Sequence, residues 1–133
     1  MNREILFKAK RKDNGEWVEG NLITNERNEN QKYIGYIFDE RNGVIEDFDL
    51  VEVIPDTICQ YTGLTDKNGR KIWENDITYI RSSGLSGYGV IKYQNGNLVL
   101  VDEKRKRTYS LYGEWKIRKD GNIFDNAELL EVE

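Results

Sequence analysis

The chain has no histidine, one cysteine, one proline and no long hydrophobic run. The lack of histidine excludes nucleophile–histidine pairs, histidine metal ligands and the side chain that most often acts as a general base near neutral pH. A single cysteine excludes an internal disulfide and a metal site built on cysteines. We therefore expect a protein without enzymatic activity and without a cofactor.

The sequence also lacks the features of a membrane or exported protein. No apolar stretch reaches the length of a membrane span, and residues 1–5 lack the apolar core of a signal peptide. We therefore expect a soluble cytoplasmic protein without membrane association. With 133 residues, the chain suits one ordinary domain or two small lobes. Its three Trp, eight Tyr and four Phe argue against disorder, which is usually poor in aromatic residues.

Short alternating segments separated by turn residues predict a mainly β protein. Strong hairpin turns are predicted at Asp13-Asn-Gly15, Asn42-Gly43 and Gln94-Asn-Gly-Asn97. The predicted strands are residues 3–10, 17–23, 33–38, 44–53, 77–81, 88–93, 98–101, 108–112 and 115–118.

The segments between these strands have loop and turn compositions. Residues 24–32 hold no apolar side chain and residues 82–87 are rich in Ser and Gly, so both are predicted loops. Asp120-Gly121 predicts a turn, and Asp125 is a candidate cap for a short C-terminal helical turn.

The spacing of the strands predicts two lobes. We expect a small antiparallel β lobe over residues 1–55, packed on an SH3-like β-barrel over residues 56–133, with the boundary near Pro55. The short C-terminal helical turn would present Leu129 and Leu130 to the core.

Residues 60–77 form the most informative segment, because they combine two turns with large apolar residues. Asp66-Lys-Asn-Gly69 is a predicted turn, since Asp bonds to nearby backbone and Gly adopts positive φ without steric cost. Glu74-Asn-Asp76 is a second predicted turn, with Asn75 in the left-handed conformation. Ile72 and Trp73 lie between the turns and must pack, so the segment is a folded corner.

Four segments together carry a family resemblance: Arg3-Glu-Ile-Leu-Phe-Lys-Ala9, Gln60-Tyr-Thr-Gly-Leu-Thr-Asp-Lys-Asn-Gly69, Ile72-Trp-Glu-Asn-Asp-Ile77 and Gly121-Asn-Ile-Phe-Asp-Asn-Ala-Glu-Leu-Leu130. On these segments the chain resembles the YopX family of phage and prophage proteins nearly from end to end. It departs from the family pattern at Lys10, Asn75 and Ala127, where the family commonly has Trp, Gly and Pro. The resemblance implies a mainly β protein of phage origin and implies no catalytic residue.

A basic run is the main candidate for nucleic-acid binding. Cations that meet phosphates, beside rings that stack on bases, are typical of proteins that bind single strands. Asp102 and Glu103 directly precede the run, so a solvated hairpin tip is the alternative interpretation. The candidate residues are Lys104, Arg105, Lys106 and Arg107, with the nearby Tyr109 and Tyr112.

An acidic stretch with only Arg41 as internal compensation is the second candidate. It would engage a basic partner or mimic a phosphate backbone, and a solvated strand face is the alternative. Its members are Asp39, Glu40, Glu46, Asp47, Asp49, Glu52 and Asp56.

Carboxylates at the corner are the third candidate. Asp66, Glu74 and Asp76 would form an acid–base pair or hold a hard metal ion if the corner brings them together. The alternative is that Asp66 and Asp76 are turn residues bonded to local backbone.

Four further side chains have plain structural interpretations. Cys59 has no evident cause for a lowered thiol pKa in the sequence and is predicted to be a small buried residue. The tryptophans either line a groove or fill the core; they are Trp17, Trp73 and Trp115.

Together these patterns favour a non-enzymatic protein-interaction module that acts in the phage–host programme, in the cytoplasm of the host cell. Its expected partner is a protein, either from the host or a second copy of the chain. Nucleic-acid binding through residues 104–107 is the alternative function, and a carboxylate-dependent enzyme is the third hypothesis.

Overall fold

The structure is a computed structural model that describes residues 5–82, 85–111 and 117–131. The chain forms two compact units, Met1–Tyr61 and Thr62–Glu133. This division falls a few residues after the predicted boundary near Pro55. Both units are built mainly from antiparallel strands, which confirms the predicted mainly β class.

The first unit is an antiparallel sheet. Its elements are β1 (Phe7–Lys10), β2 (Trp17–Thr24), β3 (Lys32–Arg41), β4 (Val44–Val53), a 3₁₀ helix (Pro55–Thr57) and the first residues of β5 (Cys59–Thr65). The strand order is β4-β3-β2-β1-β5, so β4 lies at an edge. Asn42 and Gly43 join β3 to β4 with φ values of 52° and 81°, the left-handed conformations that the predicted hairpin turn requires.

The core of the first unit lies on one side of this sheet. Ala9, Ile34 and Val53 are buried at its centre. Side chains that are partly buried pack around them: Phe7, Val18, Leu22, Val51 and Ile58.

The end of β1 returns to the end of β4. Ile54 N–H donates to the carbonyl oxygen of Lys10 at 2.8 Å, and Lys12 N–H donates to that of Glu52 at 3.0 Å. Backbone groups near the C-terminal end of β4 therefore have partners on the side that faces away from β3.

The second unit contains β6 (Lys71–Trp73), β7 (Asp76–Ser82), β8 (Leu85–Gln94), β9 (Asn97–Asp102), β10 (Arg107–Ser110), β11 (Ile117–Asn122) and a 3₁₀ helix (Ala127–Glu131). Five of these strands form a sheet of order β10-β9-β8-β7-β11, and β6 lies beside the last residues of β5. The core cluster of the unit contains Ile72, Ile80, Ile91, Leu100, Leu111 and Ile117.

The SH3-like barrel predicted for residues 56–133 is not what the structure shows. Within the described residues, β10 and β11 are the two edges of the five-stranded sheet and do not pair with each other, so no closed barrel forms. A barrel needs that closure, because it has no edge strands. The predicted C-terminal helical turn is present as the 3₁₀ helix, and Leu129 and Leu130 are half-buried.

Two predicted irregular segments are strand instead. The predicted loop at 82–87 is wrong at Ser82, which belongs to β7, and from Leu85 onward, because Leu85, Ser86 and Gly87 pair with β7. Residues 83–84 lie outside the described residues. The predicted turn at Asp120-Gly121 is wrong, because both residues belong to β11, which has a register shift between Lys119 and Gly121.

The corner has the predicted backbone. Asn75 has a φ of 71°. Its N–H donates to the carbonyl oxygen of Ile91 at 2.7 Å, and its own carbonyl oxygen accepts from Ile123 N–H at 3.1 Å. The corner therefore joins β8 to the segment that follows β11.

Candidate protein-interaction face

Large apolar side chains are exposed on one face of β2, β3 and β4. Side chains two residues apart in a strand share a face, and so do cross-strand partners. Gly35 pairs with Asn21 and Leu50, and Ile37 pairs with Phe48. The apolar residues of this face, which we call the apolar face, are Ile23, Ile37, Ile45, Phe48 and Leu50; they are 43%, 52%, 52%, 64% and 47% exposed.

Gly35 is one of the residues that line a groove in the apolar face. A Cβ at this position would lie 2.9 Å from Cδ1 of Ile23 and 3.5 Å from Cδ1 of Leu50. These two apolar side chains therefore pack over the glycine, in space that a larger residue would need. The groove encloses about 280 Å³ and is lined mainly by apolar atoms.

The opposite face of the same strands is the core face. Ile34 pairs with Val51 across β3 and β4, and Ile34 is fully buried. The core is therefore already supplied by the alternate positions. The exposed positions add nothing to it, so their apolar character has no explanation inside this unit.

Acidic side chains alternate with the exposed apolar side chains along β4 and continue into β3. Asp39 and Asp47 are direct cross-strand partners, an arrangement that is unfavourable for two like charges. In the described chain neither of them forms an ion pair, and neither does Glu46. Asp39, Glu46 and Asp47 therefore form an acidic surface without ion pairs in the described chain, on strands that also expose apolar side chains.

Two members of the acidic stretch have partners within the first unit. The hydroxyl of Tyr36 donates to Asp49 Oδ2 at 3.1 Å, and this hydrogen bond to the carboxylate raises the pKa of Tyr36. Lys12 Nζ lies 3.2 Å from Glu52 Oε2. These contacts fix the direction of the Asp49 and Glu52 side chains without neutralising the rest of the stretch.

The basic run lies at the tip of the β9–β10 hairpin. Arg105 pairs with Asp102, with 3.0 Å between Nη1 and Oδ2, and its guanidinium covers Gly87. Lys106 has a φ of 52° in the turn. Tyr109 is half-buried and packs against the core cluster. Arg105 and Tyr109 thus have structural contacts, and Tyr112 lies outside the described residues.

We expect the basic run to contribute solubility and not nucleic-acid affinity. Each phosphate contact would add about −0.9 to the slope of log K against log salt on duplex DNA, so binding would be much tighter at roughly 50 mM salt than at roughly 200 mM. Electrophoretic shift assays at that salt concentration should show no appreciable binding to DNA or RNA. Submicromolar binding with a steep salt dependence, flattened by replacing Lys104, Arg105, Lys106 and Arg107 with Gln, would contradict this expectation.

Asp66 is a buried turn residue with four donors. Its Oδ1 accepts N–H groups of Asn68 and Arg70, each at 2.9 Å, and its Oδ2 accepts Lys119 N–H at 3.0 Å and Arg70 Nε at 3.2 Å. The alternative interpretation from the sequence, a turn residue bonded to local backbone, is therefore confirmed for Asp66. The carboxylate also ties the turn to β11.

Asp76 is also occupied by structural contacts. Trp73 N–H donates to its Oδ2 at 2.7 Å, and Lys119 Nζ lies 3.3 Å from the same oxygen. Asp66 thus binds the backbone N–H of Lys119 and Asp76 binds its side chain, so both carboxylates fix the position of β11. Within the described residues no group of three or more Asp, Glu, Cys or His side chains is arranged to hold a metal ion.

The remaining candidates are structural or lie outside the described residues. Cys59 is buried, as predicted, and its thiol donates to the carbonyl oxygen of Thr57 at 3.3 Å. Trp73 is buried, and Trp17 is half-buried with Lys8 Nζ 4.5 Å from its ring centroid. Trp115 lies outside the described residues.

The sequence did not predict the apolar face. The alternation in β4 marked the strand, but it did not show which apolar positions point away from the core. The alternation of acidic residues with Phe48 and Leu50 in β4 is the feature of the sequence that could have indicated the apolar face. A strand with acidic residues on one face and apolar residues on the other exposes at least one of the two faces.

The strand orders and the exposed face define a small antiparallel β protein with a candidate binding surface in its first unit. Comparison with family models finds a match to the model described as YopX protein over residues 6–131. The chain belongs to the YopX family, as the resemblance of its motifs implied. Comparison with curated proteins finds no match. In the described part of the chain, neither helical segment has the length and apolar character of a membrane span.

Proposed function

We propose that the protein is a non-enzymatic protein-interaction module that binds its partner through the apolar face and acts in the phage–host programme, in the host cytoplasm. The observation that supports it is the exposure of five large apolar side chains on one face of β2, β3 and β4. Soluble proteins rarely expose large contiguous apolar patches, and the patches that do occur mark interaction sites.

Two further observations support a binding function over a catalytic one. The chain has no histidine. The corner carboxylates Asp66 and Asp76 are held by backbone N–H groups and by Arg70 or Lys119, so they serve the fold. The resemblance to a family of phage and prophage proteins supports the biological setting.

The test is capture of host proteins by the wild type and by the double variant Ile37→Ser/Phe48→Ser. Both side chains are more than half exposed, so the double variant should fold normally, because changes at such surface positions are usually within about 0.5 kcal/mol. We expect a partner that the wild type captures, identified by mass spectrometry and purified, to bind the double variant at least tenfold more weakly.

Ile5→Ser is the matched control, because Ile5 is 67% exposed but lies outside β2, β3 and β4. The control variant should bind the purified partner as the wild type does. Equal binding by the double variant and the wild type would show that the apolar face is not the interaction surface.

A further inference from the structure

We propose that the partner adds a β-strand to the edge of β4 at Phe48 and Leu50, and that it is an extended segment in which apolar and basic residues alternate. The inference rests on the proposed protein-interaction function and specifies its partner. Addition of a strand to an exposed sheet edge is a common mode of peptide recognition, in which main-chain hydrogen bonds provide affinity and alternate side chains provide specificity.

The hydrogen bonds at the end of β4 show which backbone groups point outward. Glu52 C=O and Ile54 N–H bond to residues 12 and 10, on the side of β4 that faces away from β3. In an antiparallel strand the backbone groups of alternate residues point to the same side. The N–H and C=O groups of Leu50 and Phe48 therefore point outward from the edge as well.

From Leu50 back toward Val44, this edge of β4 has no neighbouring strand in the described chain, because β4 is the last strand of its sheet. Residues 44–50 are all exposed. An extended segment that lies along this edge, next to residues 10–12, could thus form hydrogen bonds with the outward backbone groups of Phe48 and Leu50.

The side chains along the edge specify the pattern of the segment. Phe48 and Leu50 belong to the apolar face, so residues of an added strand beside them would be apolar. Asp47 and Asp49 alternate with them and project to the other side of the sheet. Residues beside these carboxylates would be Lys or Arg, because opposite charges across neighbouring strands stabilise pairing.

The same charges disfavour a second copy of the chain as the occupant. A twofold antiparallel pairing of β4 with β4 of another copy would place Asp47 and Asp49 beside their equivalents. Like charges directly opposite each other destabilise a strand pair. Asp39, across from Asp47, would add to the repulsion. A basic segment would instead relieve it.

The probe for this proposal is a fluorescent ten-residue peptide of alternating Lys and Val, with blocked ends. Two control peptides have the same composition: one groups the Lys and Val residues into two blocks, and one carries N-methyl groups on the backbone amides that would bond to β4. We expect the alternating peptide to bind at least tenfold more tightly than either control in fluorescence anisotropy, because it alone combines the main-chain hydrogen bonds with the matching side-chain pattern.

Charge variants of the protein test the basic part of the pattern. Asp47→Asn/Asp49→Asn should weaken binding of the alternating peptide several-fold and flatten its dependence on salt, since exposed charge pairs are screened by salt. Glu103→Gln/Glu128→Gln is the matched control, because it removes the same charge from exposed positions in the second unit. It should bind the peptide as the wild type does.

Three results would overturn the proposal: equal binding of the block peptide, equal binding of the N-methylated peptide, or a dimer in sedimentation equilibrium that Phe48→Ser dissociates. The last result would assign the edge to a second copy. A captured partner that needs Ile37 and Phe48, together with a peptide that binds no better than its controls, would leave the proposed function standing and reject strand addition. If Ile37→Ser/Phe48→Ser captured the partner as well as the wild type does, the proposed function and strand addition would both be rejected.

Discussion

Replacement of Gly20 by Val is expected to reduce the free energy of unfolding of the first unit by about 3 kcal/mol, at the upper end of the cost of overpacking a core. Gly20 is buried in β2. A Cβ built on it would overlap the carbonyl oxygen of Gly35 and would lie 2.9 Å from Cγ2 of the buried Ile34. A backbone carbonyl in a paired strand cannot move aside as a flexible side chain can, so β2 and β3 would have to separate.

Thermal and urea unfolding of Gly20→Val measure this effect. Glu19→Val is the control, because Glu19 is the exposed neighbour in the same strand and a surface change there should stay within about 0.5 kcal/mol. Since the apolar face is built on β2, β3 and β4, we also expect Gly20→Val to lose partner binding along with stability. Unfolding of Gly20→Val at the wild-type urea concentration would contradict the close approach of β2 to β3.

Asp66→Asn is expected to destabilise the second unit by about 2–4 kcal/mol, because hydrogen bonds to a charged group contribute about 1.5–3 kcal/mol each. An asparagine keeps one acceptor oxygen, but its NH₂ group would face donors that now bond to the second carboxylate oxygen. Those donors are Lys119 N–H and Arg70 Nε. The connection between the turn and β11 would be broken on that side.

The pH dependence gives the Asp66 prediction a second measurement. Burial raises the pKa of Asp66, but the N–H groups of Lys119, Arg70 and Asn68 lower it by more, so the folded pKa lies below the ordinary value. A depressed folded pKa means that the carboxylate contributes stability above pH of about 3.9, the unfolded value, which is lost as pH falls through the folded pKa. Wild-type stability should therefore fall more steeply than that of Asp66→Asn below about pH 4.

Asp13→Asn is the control for this prediction, since Asp13 pairs with Arg11 at an exposed turn. We expect it to leave the urea midpoint at neutral pH almost unchanged. Equal urea midpoints for Asp66→Asn and the wild type would show that the four donors do not stabilise the fold.

The strands that the sequence predicted best are those in which alternation and turn residues agree. β4 has the predicted bounds of Val44 and Val53, because Asn42-Gly43 marks its start and Pro55 follows its end. β5 and β6 were not predicted, because they lie in the corner segment, where turn residues conceal short strands. Leu85, Ser86 and Gly87 have a loop composition and become a strand through pairing with β7.

The sequence predicted the acidic stretch beside the candidate site but not the apolar face itself. Phe48 and Val51 lie in the same strand and both have the character of core residues, yet Phe48 is exposed and Val51 packs against the core cluster. Their difference depends on which side of β3 and β4 packs against Phe7 and Ala9 of β1, which is a property of the tertiary structure. Charge, in contrast, can be read directly, so the acidic stretch was found.

Hydrogen exchange of the protein in complex with its purified partner tests the apolar face most directly. The face predicts slower exchange in β3 and β4, residues 32–53, when the partner is bound. Exchange in the β9–β10 hairpin, residues 97–110, should stay unchanged and serves as the internal control. Protection confined to residues 97–110, with none in residues 32–53, would contradict the assignment of the binding surface to β2, β3 and β4.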